Sequence, residues 1–379
     1  MFLTDMCKSE CFFFILLLLF SSCVSDSSLQ NNRSGGAAAT GSFTLEQQFI
    51  RTKEVKSVQF YRSTDEQLPP VIELNSGEKL RLTFDAITDF SQQYRIEFTH
   101  HDKDWRRRIL LPEEYLSGLQ EVYITGGRRN LLNRPRYFSY SVEFPNRNTG
   151  FIQSGNYLMH VYDQTSNRKL MVLPFFVHEN QGEISSRVEK LFTTGFRGRA
   201  QHQLFSDYAY PDFIQFPQFD LHFAFVQNQF WGLTQYPSIF STIGDGMIEF
   251  HQSRQEAYPA DFEFNTVDLS DLSELSADGF RFLDFNQGSF PPTVLLREDV
   301  QNLSADTIRT RRNRFGIINK SRDAQYLQTT FSFLPRFDVG DDEDLFLTGD
   351  FIQWQILPEY KLKKDSTLGW WQSSALLKQ

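Results

Sequence analysis

Short runs in which apolar and polar residues alternate recur along the chain, and they predict β-strands. Three such runs follow one another between residues 137 and 177, separated by Pro145-Asn146 and by Ser154-Gly155-Asn156. Alternation with period two places neighbouring side chains on opposite faces of a strand, while Pro, Gly and Asn favour turns. We therefore expect an antiparallel meander of three strands that forms half of a β-sandwich.

The same alternation predicts the rest of a first domain, residues 42–178. Helical periodicity is confined to a single turn at 112–116. An immunoglobulin-like or fibronectin-like β-sandwich fits this set of strands. The further predicted strands are 54–61, 71–74, 80–84, 94–100 and 120–125.

A polar break at 179–183 predicts the boundary to a second domain, residues 184–379. Two long polar stretches, 261–278 and 297–314, interrupt its pattern. Loops of that length are unusual inside a compact domain. We expect an all-β chain of two β-sandwich domains, the second larger and β-rich. Its predicted strands are 219–226, 247–251, 280–285, 326–333 and 345–354.

The N-terminus carries an export signal. Residues 12–20 are apolar, too few to span a bilayer, and Ser21-Ser22 precede Cys23. This predicts a lipoprotein signal peptide over 1–22, lipidation of Cys23 and a flexible tether over 23–41, rich in Ser, Asn, Gly and Ala. An ordinary signal peptide with a coincidental cysteine is the alternative, and translation could start at Met1 or Met6.

Composition excludes several classes of protein. The formal net charge of −9 argues against a general nucleic-acid binder, which would carry a basic surface. The three cysteines are Cys7, Cys11 and Cys23, so disulfides and Cys-based metal sites are excluded from the folded part. The 39 Phe residues of the 379-residue chain allow a sizeable core.

No motif predicts a catalytic residue, a metal site, a cofactor or a small-molecule substrate. His100-His101-Asp102 with Asp104 could bind a divalent metal, but adjacent strand residues point to opposite faces, and a strand ending in an Asx turn with Trp105 packed back is favoured. The acidic segment 338–344 has only part of a calcium-loop pattern, which favours a solvated loop.

Aromatic residues between 205 and 240 exceed what one sheet face needs, and several precede prolines. Exposed aromatic side chains suit a protein interface or a carbohydrate platform. Residues 255–300 add ten Asp or Glu against two Arg. The candidate interface residues are Tyr208, Tyr210, Phe213, Phe216, Trp231, Tyr236, Asp268 and Asp271.

A series of motifs over about residues 50–379 resembles, in order, the type IX secretion system plug protein family, formerly a domain of unknown function in Bacteroidota. The motifs are Val55-Lys56-Ser57-Val58-Gln59-Phe60-Tyr61, 80–85, 100–105, Glu114-Tyr115-Leu116, 140–146, Ser154-Gly155-Asn156-Tyr157, Gln227-Asn228, Tyr326-Leu327-Gln328-Thr329, Gly349-Asp350-Phe351-Ile352 with Trp354, and Leu376-Leu377-Lys378-Gln379.

The resemblance implies a non-enzymatic protein that blocks the periplasmic mouth of the outer-membrane translocon barrel of this system. A lipid on Cys23 would hold it in the bilayer at the periplasmic face of the outer membrane, with surface display as the competing outcome. The family pattern continues beyond Gln379, which implies a second domain truncated at its C-terminus. The alternative function is a surface lipoprotein that binds or processes glycans, motivated by the cysteine signal and the aromatic loops.

Overall fold

The structure is a computed structural model, and it describes residues 43–131, 135–192, 200–237, 239–242, 244, 246–259, 267–269, 276–277, 280–298, 324–335, 338–367 and 369–379. The predicted signal peptide, the tether and Cys23 lie outside these residues.

Short strands make up the first half of the chain. Several begin or end within a residue or two of the predicted runs, because alternating Leu, Ile, Phe and Tyr side chains turn one face of each strand inward. The strands are β1 (Phe49–Ile50), β2 (Val55–Arg62), β3 (Val71–Glu73), β4 (Leu80–Ala86), β5 (Tyr94–His101), β6 (Leu116–Gly118), β7 (Glu121–Ile124), β8 (Arg128–Arg129), β9 (Phe138–Phe144), β10 (Thr149–Phe151), β11 (Gly155–Asp163) and β12 (Lys169–His178). The predicted single turn is a 3-10 helix, Pro112–Glu114.

Two sheets pack face to face in this half. One runs β1-β12-β11-β5-β7, with β3 parallel to β12, and the other runs β2-β4-β9-β8. Leu80, Leu82 and Phe84 of β4 face Ile96 and Phe98 of β5 across the core, and all five are at most 3% exposed. Burial of such side chains is the main stabilising term of the sandwich, at roughly 25 cal/mol per Å² of apolar surface.

The predicted three-strand meander at 137–177 is right in the antiparallel pairing of its second and third strands, β11 and β12, and wrong in the pairing of its first strand, β9. β9 pairs with β4 in one sheet, with Leu82 opposite Val142. β11 pairs with β12 and β5 in the other sheet, with Tyr157 opposite Phe175. The chain crosses between sheets through β10, which pairs with β6. Alternation identifies strands, but the pairing partner depends on packing across the core.

The second half is also β-rich. One sheet runs β13-β14-β18-β17, with β19 beside β14, and a second runs β22-β23-β24-β26-β25. The strands are β13 (Glu183–Phe192), β14 (Ala200–Ala209), β15 (Phe225–Val226), β16 (Thr234–Gln235), β17 (Ile239–Thr242), β18 (Met247–His251), β19 (Tyr258–Pro259), β20 (Val267–Asp268), β21 (Ser276–Ala277), β22 (Phe280–Asn286), β23 (Thr293–Glu298), β24 (Tyr326–Phe333), β25 (Lys363–Lys364) and β26 (Trp371–Lys378).

Two strands predicted in this half do not form. The segment 219–226 begins inside a single α-helical turn, Pro217–Asp220, and only Phe225–Val226 (β15) is a strand. Pro217 opens that turn because its fixed φ suits the first helical position. The segment 345–354 contains the 3-10 helix Asp350–Ile352, followed by Gln353 at φ 52° and Trp354 at φ 59°, so the chain bends back there. The remaining 3-10 helices are Gln227–Gln229, Trp231–Leu233 and Pro358–Tyr360.

The prediction of an all-β chain with a sandwich in its first half and a β-rich second half is confirmed. Residues 41–379 cluster as one compact unit. The predicted division at 179–183 stays a prediction, and β13 begins at Glu183 within it.

Candidate functional site

A buried polar cluster joins the two halves of the chain. The Asp85 carboxylate accepts hydrogen bonds from Tyr326 Oη at 2.7 Å and from Lys378 Nζ at 2.8 Å through Oδ2. Its other oxygen accepts from Ser139 Oγ at 2.6 Å. Asp85 is 3% exposed and Tyr326 is fully buried. A buried carboxylate is stable only when it is paired and hydrogen-bonded, and each donor here meets that need.

The strands explain why these groups meet. Asp85 lies near the end of β4 on the face turned away from the sandwich core, since Phe84 and Ala86 point inward. Tyr326 and Lys378 are directly opposite each other on β24 and β26. The register of β24 with β26 places Tyr326 and Lys378 side by side, and both side chains reach Asp85 on the outer face of β4.

Two tyrosines complete the cluster. Tyr137 Oη donates to the Ala324 carbonyl at 2.8 Å, and the Lys378 ammonium lies 4.9 Å from the centre of the Tyr137 ring. The Tyr326 hydroxyl also lies 2.7 Å from Ser57 Oγ. Burial, and then the Asp85 carboxylate, raise the pKa of Tyr326 well above 10.0, so it stays a neutral donor. Each polar group has a partner inside the fold, as expected of a cluster that stabilises the structure. We call this group of residues the Asp85 cluster.

A cleft of about 410 Å³ opens beside the Asp85 cluster, on the outer face of the β2-β4-β9-β8 sheet. Its lining combines polar residues, among them Arg81, Thr83 and Lys378, with the apolar Phe84 and Ile124. Arg81 pairs with Glu143 and Lys378 with Asp85, so the charged groups at the cleft are matched within the chain.

A second contact between the halves is aromatic. Phe230, 1% exposed, packs between Phe43 at 5.3 Å and Trp354 at 4.8 Å between ring centres. Trp231 packs on Phe176 at 4.6 Å and on Trp105 at 6.3 Å. Trp231, a candidate interface residue, thus serves a contact within the chain.

The other candidate aromatics differ in exposure. Tyr208 and Tyr210 are half-buried, and Tyr208 Oη donates to the Gln181 carbonyl at 2.9 Å. Phe213 is 70% and Phe216 58% exposed, while Tyr236 is 51% exposed. Partial burial, and then the Asp104 carboxylate, raise the pKa of Tyr236 above its ordinary value.

Sequence reasoning missed one member of this surface. Phe219, assigned to a strand, is 73% exposed and lies in the turn that follows Phe216, with its amide bonded to the Phe216 carbonyl at 2.9 Å. Pro217, two residues earlier, is the signal that could have identified the turn. We define Phe213, Phe216 and Phe219 as the phenylalanine surface.

The acidic candidates remain predictions. Asp268 lies in β20, where the structure describes the backbone only, and Asp271 lies outside the described residues. The acidic segment 338–344 is largely exposed, and Asp344 pairs with Lys361 at 2.6 Å.

The histidine pair of β5 makes contacts within the fold. His100 Nε2 lies 2.9 Å from the Ser154 carbonyl oxygen, and His101 Nδ1 lies 2.9 Å from the Trp105 carbonyl oxygen. Thr99 Oγ1 lies 2.9 Å from His101 Nε2 and 2.8 Å from His160 Nε2. Within the described part of the chain no group of three or more His, Cys, Asp or Glu is placed to hold a metal ion. Nor does any helix there combine the length and apolarity that a membrane span requires.

Asp85, Tyr326 and Lys378 each lie in a motif of the family resemblance, but the sequence did not predict that they contact one another. A carboxylate on the outer face of an alternating strand normally lies in water, and its partners stand 241 and 293 positions away. The one local signal is Lys378 directly after Leu376-Leu377. A cation in an apolar run is a weak sign of a buried pair.

Comparison with solved structures gives a fold relative. A crystal structure of a hypothetical protein from Parabacteroides merdae is similar with a TM-score of 0.75 and 21% sequence identity. The likeness covers 88% of this chain and 84% of that chain, so the fold extends over both halves. Comparison with curated proteins finds no match.

The family comparison concerns the first half. The family model of the Type 9 secretion system plug protein 1st domain matches residues 55–179, which span β2 to β12. This is not a known enzyme family. Residues 55–179 therefore match the type 9 secretion system plug protein first domain, which confirms the resemblance over these residues and links the chain to type IX secretion.

Proposed function

We propose that this chain is a non-enzymatic plug of the type IX secretion system, which closes the periplasmic mouth of the outer-membrane translocon barrel by protein–protein contact. The observation that carries the proposal is the plug-type first domain at residues 55–179. Exclusion of solutes by such a protein depends on shape and on contact area rather than on a reacting group.

The ties between the two halves support this role. A plug must keep its shape against a pore, and local opening is least favourable where buried contacts hold distant segments together. The Asp85–Lys378 ion pair and the packing of Phe230 hold distant segments together at two separate places. The described parts of the two halves that these contacts join would then act as a rigid obstruction.

The phenylalanine surface supports a protein partner. Its three side chains are each more than half exposed within seven residues of sequence. Aromatic residues are enriched at protein interfaces, where their burial contributes much of the affinity. We propose that this surface, with Tyr236 and the acidic residues Asp268 and Asp271, contacts the translocon.

A glycan-binding role has less support. Flat stacking on sugars needs accessible aromatic faces, and tryptophan offers the largest. All five tryptophans are described; Trp105 is buried and the other four are half-buried.

We further propose that Cys23 is acylated and holds the protein at the periplasmic face of the outer membrane. The apolar run before Cys23 and the Ser- and Gly-rich residues after it motivate this anchor. Labelling of the cells with a fatty-acid analogue, with C23A as the control, checks it. Unlabelled wild-type protein in the membrane fraction would contradict it.

Co-purification tests the plug. The full chain carries a C-terminal affinity tag and is isolated from native outer membranes in mild detergent, with a tagged, unrelated lipoprotein of the same membrane as the control. We expect the translocon barrel as the main partner of the wild-type chain alone. If the barrel is missing, and a glycan array shows binding instead, the proposal is wrong.

A further inference from the structure

The strand β13 forms an open edge of the second half. Its ten residues, Glu183–Phe192, pair with Ala200–Ala209 of β14 on one side. No described strand pairs with the other side. Residues 183 to 190 are all exposed, including Ile184 at 64% and Val188 at 57%. A row of backbone donors and acceptors therefore lies open along about 30 Å of strand.

This edge has only part of the usual protection. Natural sheets shield a long edge strand with proline, with a bulge, with charged side chains or by keeping the strand short. Of these, β13 has the charged side chains, Glu183, Arg187, Glu189 and Lys190. β13 contains no proline or glycine, and its register with β14 runs from residue 183 to 192 without a shift. Arg187 bonds Glu249 of β18 at 2.9 Å and lies 4.3 Å from the Phe205 ring, and its side chain is still 48% exposed. An incoming strand would therefore have to match the charges of this edge.

Each face of the edge has its own chemistry. Ile184, Ser186 and Val188 lie on one face, where Ser186 meets Ser206 at 2.6 Å. Arg187 and Glu189 lie on the other face, with their charged groups 3.7 Å apart and each about half exposed. An incoming strand would therefore need an apolar residue opposite Val188, and opposite charges facing Arg187 and Glu189.

We propose that the strand that pairs with β13 is β13 of a second copy of this chain. A two-fold axis through an antiparallel pair places one residue opposite itself. With Val188 on the axis, Val188 meets Val188, and Arg187 of each copy meets Glu189 of the other. One short segment thus supplies both the apolar contact and two ion pairs.

The neighbouring registers are disfavoured by charge. An axis at Arg187 places two guanidinium groups opposite each other, and an axis at Glu189 does the same with two carboxylates. Like charges directly opposite on paired strands are destabilising. The charges of the edge therefore favour an axis at Val188 over an axis at either neighbouring residue. This pairing does not depend on the plug function, because it uses the second half alone.

Charge reversal tests the pairing on the full chain by analytical ultracentrifugation. We expect the wild-type chain to dimerise, and E189R to weaken dimerisation at least about tenfold, because each Arg187 then meets an arginine. R187E places glutamates opposite each other and should act alike. Mixing E189R with R187E restores both ion pairs, so we expect a heterodimer. Equal melting temperatures of E189R and wild type exclude unfolding as the cause.

Site-specific cross-linking tests the register and does not alter Arg187. In the full chain with Cys7, Cys11 and Cys23 replaced by Ser, Val188→Cys should form dimers with a short bis-maleimide. The control is Ser185→Cys on the same strand, whose copies would lie about 20 Å apart in this register. A monomeric wild-type chain at about 100 μM, or equal cross-linking of both variants, would overturn the proposal.

Discussion

The ammonium group of Lys378 lies 2.8 Å from the carboxylate of Asp85, and the two side chains are 7% and 5% exposed. The residues stand 293 positions apart in the sequence. A buried ion pair at such a separation fixes β26 against the first sandwich. Breaking it leaves a charge without a partner in a medium that solvates charges poorly.

Replacement of Lys378 by Met should therefore lower the free energy of unfolding by about 3–5 kcal/mol, because the Asp85 carboxylate stays buried without its cation. Urea unfolding measures the change. The matched control is Lys361→Met, which removes an ion pair to Asp344 whose side chains are 48% and 50% exposed. That loss should be about 0–1 kcal/mol. Equal losses in the two variants would show that Lys378 is solvated.

The packing of Phe230 between Phe43 and Trp354 gives a second prediction. Phe230→Ala removes a ring that is 1% exposed and touches Phe43 and Trp354, so we expect a loss of about 3–5 kcal/mol from lost burial and the cavity left behind. Phe219→Ala, at a side chain 73% exposed, should change stability by less than about 0.5 kcal/mol. Thermal unfolding of both variants decides the comparison, and a small effect at Phe230 would contradict the packing.

Stability should fall with acid because of His160. Burial, and then Lys169, lower the pKa of His160 from 6.5 to about 4. Between these values the unfolded chain binds a proton that the folded chain does not, so the free energy of unfolding is full above about pH 6.5 and falls as the pH approaches 4. Part of the side chain meets solvent, so we expect a contribution of about 2 kcal/mol.

Urea unfolding of His160→Gln between pH 7 and pH 4 measures this contribution. The variant should show a shallower loss of stability across that range. His222→Gln, at an exposed position, is the control and should follow the wild-type curve. Parallel curves for His160→Gln and the wild type would show that another group causes the acid sensitivity.

The phenylalanine surface yields a functional prediction. Replacement of Phe213, Phe216 and Phe219 by Ser should reduce the barrel recovered with the chain at least about tenfold, because buried aromatics dominate such interfaces. The melting temperature should hardly change, since all three rings are exposed. The control replaces Ile109 and Leu111, which are also exposed but lie in the first half, by Ser. Undiminished recovery from the triple variant would remove this surface from the interface.

The sequence predicted strands well where alternation met a single buried face. Residues 247–251 and 326–333 were placed with the bounds that β18 and β24 have. It failed at 219–226, where a proline two residues upstream starts a turn and the alternating phenylalanines lie partly in solvent. Alternation records which residues are apolar, and it does not record whether another layer covers them.

The Asp85 cluster lay beyond sequence reasoning for a related reason. Its members become neighbours only through the registers of β4 with β9 and of β24 with β26. Pairing energies are spread over many cross-strand contacts, so no local pattern near residue 85 encodes its distant donors. The exposed Phe213 and Phe216 were accessible to prediction, because neighbouring prolines mark extended loops.

The position of Asp85 also determines the order in which contacts form while the chain is synthesised. Synthesis runs from the N-terminus, so the first sandwich can bury its aromatic core long before residues 326 and 378 exist. Until then the outer face of β4 is exposed to solvent, and water hydrates Asp85 in place of Tyr326 and Lys378. Closure of that face by Tyr326 and Lys378 is thus a late event, because it requires every residue up to 378.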